Sequence, residues 1–217
     1  MIREFNKLAD ISRFLRDRYS IISKGDNERI MEAIQKLLSS SRMPGQSLQG
    51  FLEETGRMIH RLFDFQEIAI GLRSRRDGLF RYEILIGFRE EADKARRRLA
   101  YTAEEMTNPE KYPGGVFISK VTEFQIVELQ PYREGEEDTY NRPSMIKKSR
   151  NTPDDFIEGD YIDVYMYGRE NDIIGWIELS ATRSGKLPDR NTIKWLELIS
   201  SILAMAICER DTARQIC

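Results

Sequence analysis

The sequence predicts an α+β domain with a central antiparallel sheet of about five to six strands, helices packed on one face, and extra N-terminal helices. Three observations predict it. The first 63 residues repeat apolar positions at helical spacing, the segment that follows switches to a period of two, and the C-terminal end returns to helical spacing.

The elements follow in order. Leu8, Ile11, Leu15, Tyr19 and Ile22 form one helical stripe that ends at Lys24-Gly25-Asp26. Asp26 or Asn27 is positioned to cap a second helix carrying Ile30, Ile34, Leu37 and Leu38, because a short side-chain oxygen accepts an orphan N–H of the first turn. Met43-Pro44-Gly45 closes it, and Ser47 is placed to cap a third helix. There Leu48, Phe51, Leu52, Thr55, Ile59, Leu62 and Phe63 make a face wide enough to cover a sheet.

Ile68, Ile70 and Leu72 then alternate with Ala69 and Gly71, and Asp77-Gly78 marks a hairpin turn. The returning strand alternates Phe80, Tyr82, Ile84, Ile86 and Phe88. Glu90 to Met106 reads as one helix, and Val116 to Ile118 and Phe124 to Leu129 as short strands. Residues 131–159 are polar and longer than an ordinary connection, so they form a pocket lid or a mobile insertion. Asp160 to Tyr167 has two unlike faces, aliphatic at Ile162, Val164 and Met166, and tyrosine-rich at Tyr161, Asp163, Tyr165 and Tyr167. A strand at Ile173 to Leu179 and a helix capped by Asp189, with Ile193, Leu196, Ile199, Leu203 and Ile207 on its apolar stripe, complete the chain. Residues 1–45 read as a helical extension and 46–217 as the domain.

Composition narrows the function classes. The chain has 34 Lys and Arg against 36 Asp and Glu, a net charge of −2, which argues against a general nucleic-acid or membrane-surface binder. No stretch supplies the roughly 18 uninterrupted apolar residues of a membrane helix. Two cysteines near one end do not make a disulfide framework, so the cytoplasm is the expected location. One histidine, His60, and Cys208 and Cys217 cannot supply a usual zinc site, and no phosphate-cradling glycine loop is present, so neither metal nor cofactor is expected.

Two stretches bear a family resemblance: Phe51 to Gly87, a helix running into a hairpin, and Asp172-Ile-Ile-Gly-Trp-Ile-Glu-Leu179 with the turn Thr182-Arg-Ser-Gly185, the helix entry Leu187-Pro-Asp189 and the helix Trp195 to Ile207. Over residues 47–210 this order resembles the GAF domain, and a related PAS-like fold is the alternative. The resemblance implies a non-enzymatic sensor or regulatory domain that binds a small molecule or a signalling partner. It does not extend to the subfamily chemistries. Thr182-Arg183, Leu187 and Asp189-Arg190 depart from the cyclic-nucleotide signature, and Cys208 and Cys217 do not suit bilin attachment or sulfoxide reduction.

The tyrosine-rich face is the candidate ligand site, with Tyr165, Tyr167, Trp176 and Glu178 as lining residues; the other reading is a half-exposed sheet face with good strand formers. The stripe Leu8, Ile11, Leu15, Tyr19 and Ile22 is the candidate homodimer interface. Residues 73–98 carry nine basic and five acidic side chains, which leaves a nucleic-acid-associated regulator as the second functional reading, although a net of +4 is thin for phosphate binding.

Overall fold

The computed structural model describes residues 25–41, 45–108, 110, 115–129, 137–146 and 148–215. The stripe at Leu8, Ile11, Leu15, Tyr19 and Ile22 lies outside them. Two helices come first, α1 (Asp26–Ser41) and α2 (Leu48–Leu62), then the hairpin β1 (Phe65–Arg73) and β2 (Phe80–Ile86). Two short helices follow, α3 (Glu90–Arg96) and α4 (Ala103–Thr107), then β3 (Gly115–Phe117) and β4 (Thr122–Gln125). Two single 3₁₀ turns, Glu137–Thr139 and Pro143–Met145, precede β5 (Tyr161–Tyr167), β6 (Ile173–Thr182) and the closing helix α5 (Arg190–Gln215). The six strands form one antiparallel sheet in the order β2-β1-β6-β5-β4-β3.

The caps sit where short polar side chains place them. Ser47 Oγ accepts the Gly50 N–H at 3.0 Å, and Asp189 Oδ1 accepts the Thr192 N–H at 2.7 Å. The long helices α1, α2 and α5 share one core with one face of the sheet: Ile34 and Leu37, Phe51 and Ile59, and Leu196, Ile199 and Leu203 are buried with Ile68, Ile70, Ile162, Val164, Met166, Ile177 and Leu179. Asp26–Ser41, grouped by its sequence with the N-terminal extension, therefore contributes directly to this core. Residues 190–210 of α5 are long and apolar enough to cross a membrane by composition, but the stripe carrying Leu196, Ile199, Leu203 and Ile207 is spent on the sheet.

Three local expectations change. The alternation of β2 does not run through: a bulge between Ile70 and Gly71 pairs Ile70 with Ile84 but Gly71 with Tyr82. Glu83 is the extra residue, so Ile84 and Ile86 face the helices while Phe80 and Tyr82 face the other side. The helix expected over Glu90 to Met106 is two helices, because Tyr101 leaves helical geometry to bridge Phe80, its N–H and C=O bonding the Phe80 backbone at 3.0 and 2.8 Å. The strand expected at Phe124 to Leu129 lies at Thr122–Gln125 instead.

Two glycines are demanded by close approach. A Cβ on Gly71 would lie 2.0 Å from the Trp176 ring, and one on Gly87, which has φ +84°, would lie 1.8 Å from the Gln66 carbonyl oxygen. Gly71 thus leaves the space that the Trp176 ring occupies.

Candidate functional site

The face of the sheet away from the long helices carries a second, aromatic cluster of Phe80, Tyr82, Tyr165 and Trp176, with Tyr101, Met106, Tyr167 and Ile173 at its margin. Trp176 is its centre, with the rings of Tyr82, Phe80 and Tyr101 at 5.1, 6.2 and 6.3 Å. Beside this cluster is a cavity of about 180 Å³. All four residues predicted for the site, Tyr165, Tyr167, Trp176 and Glu178, line it. Helix α4 and the residues after it supply one wall through Met106, Thr107 and Asn108, and the exposed Phe117 of edge strand β3 stands at the rim, 6.4 Å from the Tyr165 ring.

The sheet register decides the chemistry of this cavity. Glu123 of β4 is directly opposite Asp163 of β5, which is directly opposite Glu178 of β6. Three carboxyl groups on three adjacent strands form one row, and like charges placed so are mutually destabilising. The adjoining row contains Gln125, Tyr161 and Ser180, and the row on the other side contains Tyr165 and Trp176.

Each carboxyl meets a different environment. Glu178 forms a short ion pair with Arg96 Nη1 and accepts the Tyr82 hydroxyl at 2.6 Å. Burial works against the Arg96 charge, yet Glu178 and the tyrosines around it hold its pKa above the ordinary guanidinium value. Arg96 also stacks over Phe88 at 4.6 Å and Tyr82 at 5.4 Å. Glu123 accepts the Tyr165 hydroxyl at 2.6 Å. Burial first, then the neighbouring Asp163 and the bond to Glu123, push the Tyr165 phenol well above its usual range. Asp163 has no such support: its Oδ1 is buried without a hydrogen-bond partner among the described residues. Burial, then Glu178 and Glu123, raise its pKa well above the carboxylate range. Gln125 Oε1 and Ser180 Oγ are likewise buried without partners.

Sequence reasoning missed Arg96, Tyr82, Glu123, Asp163 and Gln125 as members of this site. Arg96 reads as part of a solvated basic helix face, but it is the buried partner of a carboxylate 82 residues away. Asp163 did carry a signal, an acid in the middle of an otherwise apolar and aromatic strand.

Among the described residues of the long polar segment, none of 137–146 or 148–159 lines the cavity. The segment is tied down beside it. Arg89 Nε donates to the Tyr140 carbonyl at 2.8 Å, the Arg89 N–H to Asn141 Oδ1 at 2.7 Å, and Arg96 Nε to the Thr139 carbonyl at 3.0 Å. Further along, Arg150 bonds both oxygens of the buried Asp160 at 2.9 Å, and Phe156 packs on Phe124 with ring centroids 5.7 Å apart. The basic stretch 73–98 is largely neutralised locally, by Arg81–Asp77 at 2.8 Å, Arg97–Asp93 at 2.6 Å, Arg73–Asp172 at 3.3 Å and the Lys94–Glu90 and Arg96–Glu178 pairs.

The molecule is therefore an α+β domain whose antiparallel sheet separates an apolar core from an aromatic, acidic cavity. This is the GAF fold. Its structure is similar to the GAF domain of an Acinetobacter phosphoenolpyruvate-protein phosphotransferase, with a TM-score of 0.55 at 10% identity, covering 84% of this chain and 94% of that one. It is also similar to the GAF domain of the corresponding protein from Coxiella burnetii, with a TM-score of 0.54 at 8% identity over 86% and 96% of the two chains. The GAF domain of a protein named as a sensor histidine kinase from Pseudomonas syringae pv. tomato matches with a TM-score of 0.52 at 10% identity over 95% and 97%. No protein-family model matches the sequence, and no curated protein sequence matches it either.

Proposed function

We propose that this chain is a non-enzymatic, signal-sensing regulatory domain that takes a small molecule into the cavity on the polar face of its sheet. The observation that carries the reading is the cavity itself, which joins aromatic walls to buried acceptors left without partners. The kinds of protein in which similar GAF domains occur, a sensor histidine kinase and phosphotransferases, agree with a regulatory role.

Two routes out of the cavity support a response to binding. Arg96 holds Glu178 with one guanidinium nitrogen and the Thr139 carbonyl with another, so a ligand that shifts Glu178 also shifts segment 137–142. On the opposite side, Ser200 of α5 donates its hydroxyl to the Tyr165 carbonyl at 2.8 Å, which links the cavity strand to the closing helix. A ligand moves such an equilibrium only by its differential affinity for the two arrangements.

A cytoplasmic location and a homodimer joined through Leu8, Ile11, Leu15, Tyr19 and Ile22 belong to the same proposal. Native mass spectrometry of the purified chain tests both parts: retained small molecules report on the cavity, and the mass reports the dimer. Tyr165→Ala and Trp176→Ala are expected to weaken retention. Binding unchanged in both variants would remove the cavity from the reading.

A further inference from the structure

We propose that the ligand of this cavity is a small organic cation bearing N–H donors, a primary ammonium or guanidinium group, received by Asp163 and Gln125 between aromatic walls. The inference rests on the sensor reading above and names the chemical class of what is sensed.

The charge count comes first. Among the described residues, only Glu178 of the three carboxyl groups in the row Glu123, Asp163 and Glu178 has a cationic partner, Arg96. The charged groups facing Asp163 are Glu123 from β4, Glu178 from β6 and Arg96 from α3; the phenols nearby are Tyr161 and Tyr165 on its own strand, Tyr82 of β2 and Tyr101. Among the described residues one arginine faces three carboxyl groups, and even with Asp163 protonated the two remaining carboxylates outnumber it, so an anionic ligand would meet repulsion.

The second observation is independent of charge. Asp163 is 8% exposed and Gln125 3% exposed, and both line the cavity with a side-chain oxygen that has no hydrogen-bond partner among the described residues. With Asp163 ionised, both orphan atoms are acceptors. A carboxyl oxygen and an amide oxygen ask for N–H or O–H donors, and a buried acceptor without a donor costs free energy until one arrives. A primary ammonium has three donors and a guanidinium five, enough to serve both oxygens at once.

The walls fit the same guest. Tyr161, Tyr165, Tyr167 and Trp176 line the cavity beside the acids, and aromatic rings attract a cation held over their faces. A bare metal ion would leave this aromatic lining unused. The volume of about 180 Å³ is below the ~300 Å³ lower end of drug-sized pockets, which limits the guest to a small molecule.

Binding would be linked to proton release. In the empty cavity, burial and then Glu178 and Glu123 raise the Asp163 pKa and so favour its neutral form. A cation favours the carboxylate, so its arrival expels the proton to solvent, and affinity rises with pH through the titration of Asp163.

The test is calorimetric titration of the full chain with butylamine and butylguanidine, using 1-butanol and butyrate as neutral and anionic controls of equal chain length. Titrations are run at a mildly acidic and a mildly alkaline pH, in buffers of different ionisation enthalpy. Expected are saturable binding of the two cations, at least about tenfold tighter than either control, tighter at the higher pH, and net proton release. Asp163→Asn is expected to lose at least about tenfold of that affinity and the pH dependence with it; Gln125→Leu serves as a second variant should the first fail to fold. No saturable response to either cation at millimolar concentration, or equal binding of butanol or butyrate, overturns the cation assignment. If native mass spectrometry then retains a neutral or anionic molecule that Tyr165→Ala releases, the sensor reading survives that loss. Cation binding untouched by both variants places the site elsewhere and overturns the assignment together with the cavity's role.

Discussion

The two faces of the sheet are built from the same strands yet solve opposite problems. On the helix face, Ile162, Val164, Met166, Ile177 and Leu179 share one apolar core with the long helices, α5 lying against both strands. On the cavity face, the residues between them are Tyr161, Asp163, Tyr165, Tyr167, Trp176 and Glu178, and polar atoms remain unpaired even after folding. The first face stabilises the domain through burial of apolar area. The second gives back part of that stability through a row of acids and orphan acceptors. Sites arranged for binding commonly carry such a cost.

The sharpest break of this contrast is on the cavity face itself. Arg96→Met leaves Glu178 buried without its cation and is expected to destabilise by about 3–5 kcal/mol, toward the low end because the arginine side chain is 12% exposed. Chemical denaturation at neutral pH measures it, and a loss below about 1 kcal/mol would show that the pair is not essential. Next comes the helix face: Leu203→Ala should cost about 2–5 kcal/mol with ligand affinity unchanged. Gly71→Ala forces the Trp176 ring off its seat and is expected to cost about 1–3 kcal/mol and to shift tryptophan fluorescence. A variant with the parent spectrum would contradict the packing described.

Asp163→Asn has the opposite sign. The folded pKa of Asp163 is raised, so between the unfolded value of about 3.9 and the raised folded value the folded state binds more protons than the unfolded one, and stability falls as pH rises. Below about pH 3.9 both states are protonated and the term vanishes. The asparagine variant removes it, so stability at neutral pH should rise and the pH profile should flatten. A more stable protein that binds its ligand worse is the signature expected of a binding residue, and a less stable one would count against it. The smallest effect belongs to the rim: Phe117→Ser, at a side chain 62% exposed, should move the melting free energy by no more than about 0.5 kcal/mol.

Much of the contrast was legible in the residue pattern. The alternation in β5 separates Ile162, Val164 and Met166 from Tyr161, Asp163, Tyr165 and Tyr167, and a period of two needs only one strand to be read. The same logic failed in β2, where a single bulge at Glu83 moved Phe80 and Tyr82 to the aromatic face while Ile84 stayed in the core. It failed again at Tyr101, whose backbone bonds to Phe80 interrupt a stretch with good helical spacing. Both errors come from pairing with residues remote in sequence, which local periodicity does not encode.

The residue pattern by itself determined the fold class, the caps at Ser47 and Asp189, the two faces of β5 and the placement of Tyr165, Tyr167, Trp176 and Glu178 on the polar one. These follow from local propensity and from the period of apolar residues. Only the tertiary structure decided that Glu123, Asp163 and Glu178 stand in one row, that Arg96 neutralises Glu178 alone, and that Asp163 and Gln125 keep oxygens without partners. Register between strands sets which charges meet, and register is a property of the assembled sheet.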